Sequence, residues 1–254
     1  MADRSLRERT DALSQTAFLG GPRGDFEPIG RLGFDVLLRE GLRPSSRVLD
    51  VGCGALRLGY WLMRFLDSGC YFGIEPNEEM LKTGLEQIVE PDVVARADAH
   101  FAHNDDFDFS GFGAEFDFVY ARSIWTHASK DQIRAMLASF AATSSHEAVF
   151  LASYYPASQV FRISTRFPRL RRYVPMLPLQ RLSPMLARLP AAGLAREYEG
   201  SEWIGRSHES EEVGVTKHSL RWIARESSAL GLKAELAAYP IRNNQYWARI
   251  THLP

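Results

Sequence analysis

The sequence predicts an α/β fold, a doubly wound and mostly parallel sheet, on three observations. Short apolar runs alternate with helical patterns along most of the chain, the order that lays parallel strands side by side with helices on both faces. The first clear run, Val48, Leu49 and Val51, enters a Gly52-Cys53-Gly54 turn that opens a helix. A second apolar run ends at Glu75, so residues 47 to 77 read as strand, turn, helix, strand, acid.

The remaining elements follow in order. Residues 28 to 41 carry Ile29, Leu32, Phe34, Val36 and Leu37 at helical spacing and stop at Gly41. After Glu75 a helix starts at Pro76 or Asn77 and runs to about Gln87. VVARAD at 93 to 98 is the third strand candidate, FDFVYA at 116 to 121 the fourth and 147 to 154 the fifth, with a helix near 129 to 142 between the last two. Residues 217 to 230 are helical, and 233 to 239 with 245 to 251 form strands. In the last of these, Tyr246, Ala248 and Ile250 share one face and Trp247, Arg249 and Thr251 the other. No internal repeat is present.

Gly52 and Gly54 permit backbone angles that a side chain resists, so the turn can pass beneath a ligand at the carboxyl end of the first strand. In a βαβ unit the tips of the two strands are neighbours, and Glu75 on the second tip can accept two hydrogen bonds from a ribose diol. The ligand expected is a nucleoside. A dinucleotide is disfavoured because GCGALRLG lacks the third glycine of G-x-G-x-x-G, and no GKT or GKS phosphate loop occurs.

VLDVGCG followed by the acid at Glu75 resembles the nucleoside-binding motifs of class I S-adenosylmethionine-dependent methyltransferases. The resemblance spans about 45 to 154 closely and 216 to 251 loosely. It implies a Rossmann-like, seven-stranded sheet closed by an antiparallel pair, with S-adenosylmethionine as methyl donor. Carried over, Gly52, Cys53 and Gly54 back the methionine part, Asp50 orients the turn or the donor's ammonium, and Glu75, followed by Pro76, holds the ribose. Asp98 and Ala99, ending the third strand candidate, take the adenine, although an Asp there is also an ordinary cap or turn former. Phe101 would stack on the base or belong to the core. Ala121 and Ser123, at the end of the fourth strand, fall at the methyl-transfer site. Trp125 and His127 follow, and His127 is the candidate general base, since an ordinary imidazole titrates at about pH 6.5; the same stretch also reads as a capped helix entry. Arg57 stands where the family often has a small residue and suits the donor's carboxylate, an anionic acceptor or a surface acid. Turn formers at 20 to 30, with Phe26, suit a loop folded over the site.

Residues 155 to 215 are the main departure from a minimal fold. Between Glu147 and Glu197 no acid occurs, while Arg162, Arg166, Arg169, Arg171, Arg172, Arg181, Arg188 and Arg196 do, interleaved with apolar residues and six prolines. The pattern predicts short amphipathic helices forming a lid, with contact to an anionic membrane surface through 156 to 190 or a solvated cap as other readings. Tyr198, Trp203, His208 and His218 are further acceptor-side candidates. The organisation expected is a leader and cofactor-covering loop at 1 to 27, a nucleoside-binding core at 28 to 154, the basic insertion at 155 to 215 and completion of the sheet at 216 to 254.

With 254 residues, 45% of them hydrophobic, the chain can bury one sizeable core, and a net charge of −1 gives no global case for nucleic acid. No NPPY or DPPY motif for an extruded base is present. Two cysteines make neither a disulfide framework nor a zinc pattern, and the start of the chain has no apolar run of signal length. A cytoplasmic enzyme, peripheral to the membrane if the basic segment binds there, is expected. Its acceptor would be small, carrier-bound or lipid-like and anionic, with O-methylation favoured over N-methylation on His127 alone. The alternative is a non-catalytic S-adenosylmethionine-binding scaffold.

Overall fold

A computed structural model of the chain describes residues 5–20, 24–157 and 215–254. Seven strands form one sheet: β1 (Val48–Val51), β2 (Tyr71–Ile74), β3 (His100–Ala102), β4 (Phe116–Ala121), β5 (Ser144–Tyr154), β6 (Leu232–Arg242) and β7 (Gln245–His252). Their spatial order is β3-β2-β1-β4-β5-β7-β6. The first five are parallel, whereas β7 runs antiparallel to both β5 and β6. The order reverses between β1 and β4, so the crevice at their carboxyl ends is the switch point where ligands of such sheets bind.

Alternation along the strands sorts side chains into two layers. Leu49, Val51, Val119, Phe150 and Ile250 face one side, packed with Ile133, Leu137 and Ile223. That side is covered by α6 (Lys130–Thr143) and α7 (Leu220–Ser228). Val48, Phe118, Tyr120, Leu151 and Trp247 face the other, under α2 (Phe26–Arg39), α3 (Gly59–Phe65) and α5 (Pro91–Ala97), which contribute Val36, Leu37, Leu62 and Val93. Helix α6 begins with a capping box between Ser129 and Gln132, which satisfies two of its orphan N–H groups.

Helix α2 approaches the sheet unusually closely. A methyl group added at Gly30 would overlap the Arg57 carbonyl, and one at Gly33 would meet the Tyr120 hydroxyl. Glycine at these positions lets the helix lie on the β1–α3 connection. Ahead of it, α1 (Leu6–Leu13) is held by a Ser5–Glu8 capping box and buries Leu6 in a small cluster with Leu19, Phe26, Ala55 and Ile88. Residues 6 to 13 of the expected leader are therefore an ordered helix packed on the core.

One strand differs from the sequence reading. Residues 91 to 97 are helical, and β3 is the following His100–Ala102. Pro91 occupies the first helical turn, where its fixed φ and missing N–H are tolerated, and Val93 and Ala97 are buried one turn apart. Asp98 ends that helix in the left-handed conformation, φ 46°. The helix from Asn77 continues as α4 (Glu78–Thr83) into a π-turn at Gly84–Ile88. The insertion at 158 to 214, with its arginines, lies outside the described residues, as do Tyr198, Trp203 and His208.

Candidate functional site

A cavity of about 740 Å³ opens at the carboxyl ends of the parallel strands. It is lined by the β1 tip and turn (Asp50 to Ala55), Glu75 and Pro76 after β2, Asn104, Asp105 and Phe107 after β3, and Tyr120 with Arg122 to Ile124 at the end of β4. His127, Gln132, Tyr155, Asn243 and Gln245 complete the β4–β5–β7 end, and Phe18, Leu19, Gly20, Ile29 and Gly30 supply a wall from the amino-terminal segment.

The turn is built as its glycines require. Gly52 and Gly54 have φ of 70° and 56°, and a side chain at Gly52 would collide with Ile124 across the crevice. Glu75 is only 3% exposed. One carboxylate oxygen accepts from the Gly54 N–H at 2.9 Å and the other from the Asn77 N–H at 2.9 Å. These bonds link the two strand tips and set the carboxylate plane, and a carboxylate can accept about four hydrogen bonds in all. The geometry fits a ribose diol.

Asp50, also 3% exposed, accepts a hydrogen bond from the Tyr71 hydroxyl at 3.1 Å. Burial raises its pKa from 3.8 to about 7, with the Tyr71 bond opposing and the Glu75 charge adding to the rise. A buried carboxyl so placed gains from a cation in the cavity. The Cys53 thiol is pushed well up by burial and by both acids, so it is a packed neutral group rather than a nucleophile.

Arg57 reaches back to the amino-terminal wall, donating to the Gly20 carbonyl at 2.6 Å and lying 5.2 Å from the Phe26 ring centroid. Burial and the Arg122 charge lower its pKa to about 10, partly offset by Asp25 and Tyr120. Phe26 does not itself line the cavity but lies against Arg57, whereas Gly20, Ile29 and Gly30 of the 20 to 30 segment do line it; residues 21 to 23 lie outside the described residues.

At the other end, Ser123 has a φ of 61° and its backbone N–H donates to the Ser153 hydroxyl at 2.7 Å. Gln245 accepts from that hydroxyl at 2.7 Å and its amide donates to the Ser123 hydroxyl at 2.9 Å. This network ties the ends of β4, β5 and β7 into one wall. His127 follows on the same connection after β4, half-buried and lining the cavity, with its backbone N–H bonded to the Ile124 carbonyl.

Of the residues expected from the sequence, Asp50, Gly52, Cys53, Gly54, Arg57, Glu75, Pro76, Ser123 and His127 line the cavity. Asp98 and Ala99 do not, because they precede β3 and so lie at the amino ends of the strands, away from the crevice. Ala121 is also displaced: its side chain is fully buried on the α6–α7 face of β4. Phe101 packs edge-on against Tyr71, and Trp125 is a core residue over Phe150. His218 is buried, its Nε2 bonded to the Ala128 carbonyl and its ring stacked on Trp222. The sequence reading missed Asn104, Asp105, Phe107, Tyr120, Arg122 and Gln245. The Asn-Asp-Asp run after His103 was the available signal for the first two, once β3 is placed correctly. Among the described residues no group of three or more His, Cys, Asp or Glu side chains assembles to hold a metal.

Residues 48–145 match the family model described as a methyltransferase domain. Solved structures share the fold. Magnesium protoporphyrin IX methyltransferase from Synechocystis PCC 6803 with bound SAH is 14% identical with a TM-score of 0.55, covering 98% of this chain and 98% of its own. The glycopeptide N-methyltransferase MtfA complexed with S-adenosyl-L-methionine is 14% identical, TM-score 0.54, over 88% of this chain and 94% of its own. A DhpI–SAH complex is 14% identical, TM-score 0.52, over 98% and 94%. A search of curated protein sequences gives no match.

Proposed function

We propose that the chain is an S-adenosylmethionine-dependent methyltransferase acting on a small, carrier-bound or lipid-like acceptor, a reading supported by the match of residues 48–145 to a methyltransferase-domain model. The observation that carries this reading is Glu75, a buried carboxylate fixed by two backbone donors at the tip of β2 beside the glycine turn. Glu75 binds the ribose diol, Asp50 in its ionised form faces the ammonium, and Asp105 with Phe107 flanks the adenine. A donor held in this way would supply an activated methyl group to the acceptor's nucleophile.

Methyl transfer from a sulfonium requires mainly alignment of nucleophile and methyl and exclusion of water. The wall made by Ser123, Ser153 and Gln245 positions the acceptor, and Tyr155 and Gln132 border it. His127 takes the proton from an acceptor hydroxyl, which is the ground for favouring O- over N-methylation. The eight arginines between Glu147 and Glu197 favour an anionic acceptor or contact with an anionic membrane surface. Among the described residues no helix is long and apolar enough to cross a membrane.

The test is calorimetric titration of the full chain with S-adenosylmethionine and S-adenosylhomocysteine, followed by mass-spectrometric screening of acceptor pools. Binding of both ligands with a mass gain of one methyl in an acceptor is expected. Absence of binding in folded protein overturns the proposal, and binding without any turnover across the pools points to the scaffold instead.

A further inference from the structure

The cavity separates its charges by wall. Its carboxylates, Asp50, Glu75 and Asp105, follow β1, β2 and β3, at the end proposed for the nucleoside. Among the described residues no carboxylate lines the β4–β5–β7 end, where Arg122 is a cation. A protonated amine would lose its water there and meet no counter-charge, which is costly.

The polar groups of that end are also turned one way. The Ser129 N–H donates to Gln132 Oε1 at 2.9 Å within the capping box of α6. The oxygen of the Gln132 amide is therefore held at the helix start, and its NH2 remains for the cavity that Gln132 lines. Ser153, fully buried, accepts from the Ser123 N–H at 2.7 Å and uses its own hydrogen on Gln245 Oε1 at 2.7 Å. That orients the Gln245 amide with its nitrogen toward the Ser123 hydroxyl, to which it donates at 2.9 Å. The Ser123 hydroxyl thus accepts from Gln245 and keeps its hydrogen as a donor. The other acceptor in its reach, Gln245 Oε1 at 3.2 Å, already takes the shorter bond from Ser153. Ser123 stands at φ 61°, where few residues with side chains are found, and the Ser153 bond holds it there.

We infer that the β4–β5–β7 end takes an acceptor of the phenol or enol class, bound as its oxyanion, with the Ser123 hydroxyl and the Gln132 amide donating to its oxygens. An ionised oxygen gains most from such donors, because charge-assisted hydrogen bonds are roughly twice as strong as neutral ones. An aliphatic alcohol holds its proton too tightly for an ordinary imidazole to remove, whereas a phenol or enol yields it, to His127 or to water. Ile124, Tyr155 and Val215 border the same end and offer apolar surface to a ring. The inference rests on the proposed methyltransferase reading and deepens it by naming the acceptor class, on the orientation of donors and not on His127.

The experiment titrates the full chain, saturated with S-adenosylhomocysteine, with 4-nitrophenol, 4-nitrobenzyl alcohol and benzylamine. The visible colour of 4-nitrophenolate reports directly whether the bound phenol is ionised. The proteins are wild type, Ser123→Ala and Gln132→Glu. Glu serves a capping box as Gln does, so Gln132→Glu keeps the helix start and puts an anionic oxygen where the NH2 stood. In wild type, 4-nitrophenol should bind as the phenolate, ionise about one pH unit lower than in water, and bind about ten-fold tighter than the alcohol or the amine. Ser123→Ala should weaken phenolate binding about ten-fold. Gln132→Glu should weaken it at least as much and bind benzylamine more tightly than wild type does, at an unchanged melting temperature; if it melts early, Ser123→Ala alone decides. Phenol bound in its colourless form, benzylamine bound as tightly as phenolate by wild type, or phenolate affinity unchanged by the substitutions overturns the inference. So does saturated wild type that takes no 4-nitrophenol, which leaves the methyltransferase reading standing. If folded wild type does not bind S-adenosylhomocysteine, that reading fails, and the same three ligands titrated against the unloaded chain still decide what the wall prefers.

Discussion

Replacing Asp50 by Asn separates two consequences of burying one carboxyl. Asp50 retains its proton to about pH 7 in the folded chain but releases it near 3.8 when unfolded. The native state therefore binds the extra proton between those values, and wild-type stability falls as pH rises across that window. Ten-fold steps of about 1.4 kcal/mol make the whole rise worth about 4 kcal/mol against the charged form. Asn cannot ionise and keeps nearly the same shape. In urea titrations, Asp50→Asn should exceed wild type by less than about 1 kcal/mol at pH 4 and by several kcal/mol above pH 7, with the difference growing in between. Binding runs the other way. A ligand ammonium favours ionised Asp50, so wild-type affinity for S-adenosylhomocysteine should weaken about ten-fold for each pH unit below 7 and level off above it. Asp50→Asn should bind more weakly at pH 8 with no such slope. A stability difference that stays constant from pH 4 to pH 8 refutes the argument from burial, and a wild-type affinity independent of pH refutes the facing of Asp50 to a cation.

Glu75→Ala removes the acceptor for two backbone donors and for the proposed diol, and should weaken S-adenosylhomocysteine binding by about 1–3 kcal/mol, read by calorimetry; unchanged affinity removes Glu75 from the site. His127→Ala should lower methyl transfer at least ten-fold at saturating donor while the donor dissociation constant stays within two-fold, and equal turnover removes the base. Gly30→Ala would gain about 1 kcal/mol in an ordinary helix interior, but here its methyl overlaps the Arg57 carbonyl, so a net loss of about 1–3 kcal/mol is expected from the urea midpoint. A gain there means that α2 can lift from the turn without penalty.

The fold was legible wherever a local requirement left a residue-type trace. The positive φ at Gly52 and Gly54 demands glycine, the β2 tip carries its acid immediately after the last apolar residue, and α6 announces itself with Ser129 and Gln132 three apart. The third strand was misread because Val93 and Val94 suggest a strand by type. Pro91 at the helix start and burial of Val93 and Ala97 on one side, an i,i+4 pair, decided otherwise. The true strand is only three residues long, His100–Ala102, and alternation over three residues carries almost no pattern. That error moved the expected adenine contact from the end of β3 to the residues before it.

The two halves of the cavity differ in how far apart their residues lie along the chain, and that difference has a physical consequence. Asp50, Gly52, Gly54 and Glu75 come from one βαβ unit, so strand spacing alone places them together. On the other wall Gln245 meets Ser153 across 92 residues and Ser123 across 122, through side chains that any polar residue type could supply. Arg122 is likewise placed by a tertiary contact, its guanidinium carbon 5.6 Å from the Trp247 ring centroid. Such contacts depend on tertiary placement and leave no spacing to read. They also depend on the β6–β7 hairpin, which contributes Asn243 and Gln245 to the cavity. Changes in that hairpin would alter the second wall, while Asp50, Gly52, Gly54 and Glu75 belong to the separate βαβ unit. On the proposed reading such a chain would keep one donor and vary its acceptor through this hairpin, whose turn at Asn243 and Asn244 has both residues at positive φ, a conformation that asparagine tolerates better than most side chains.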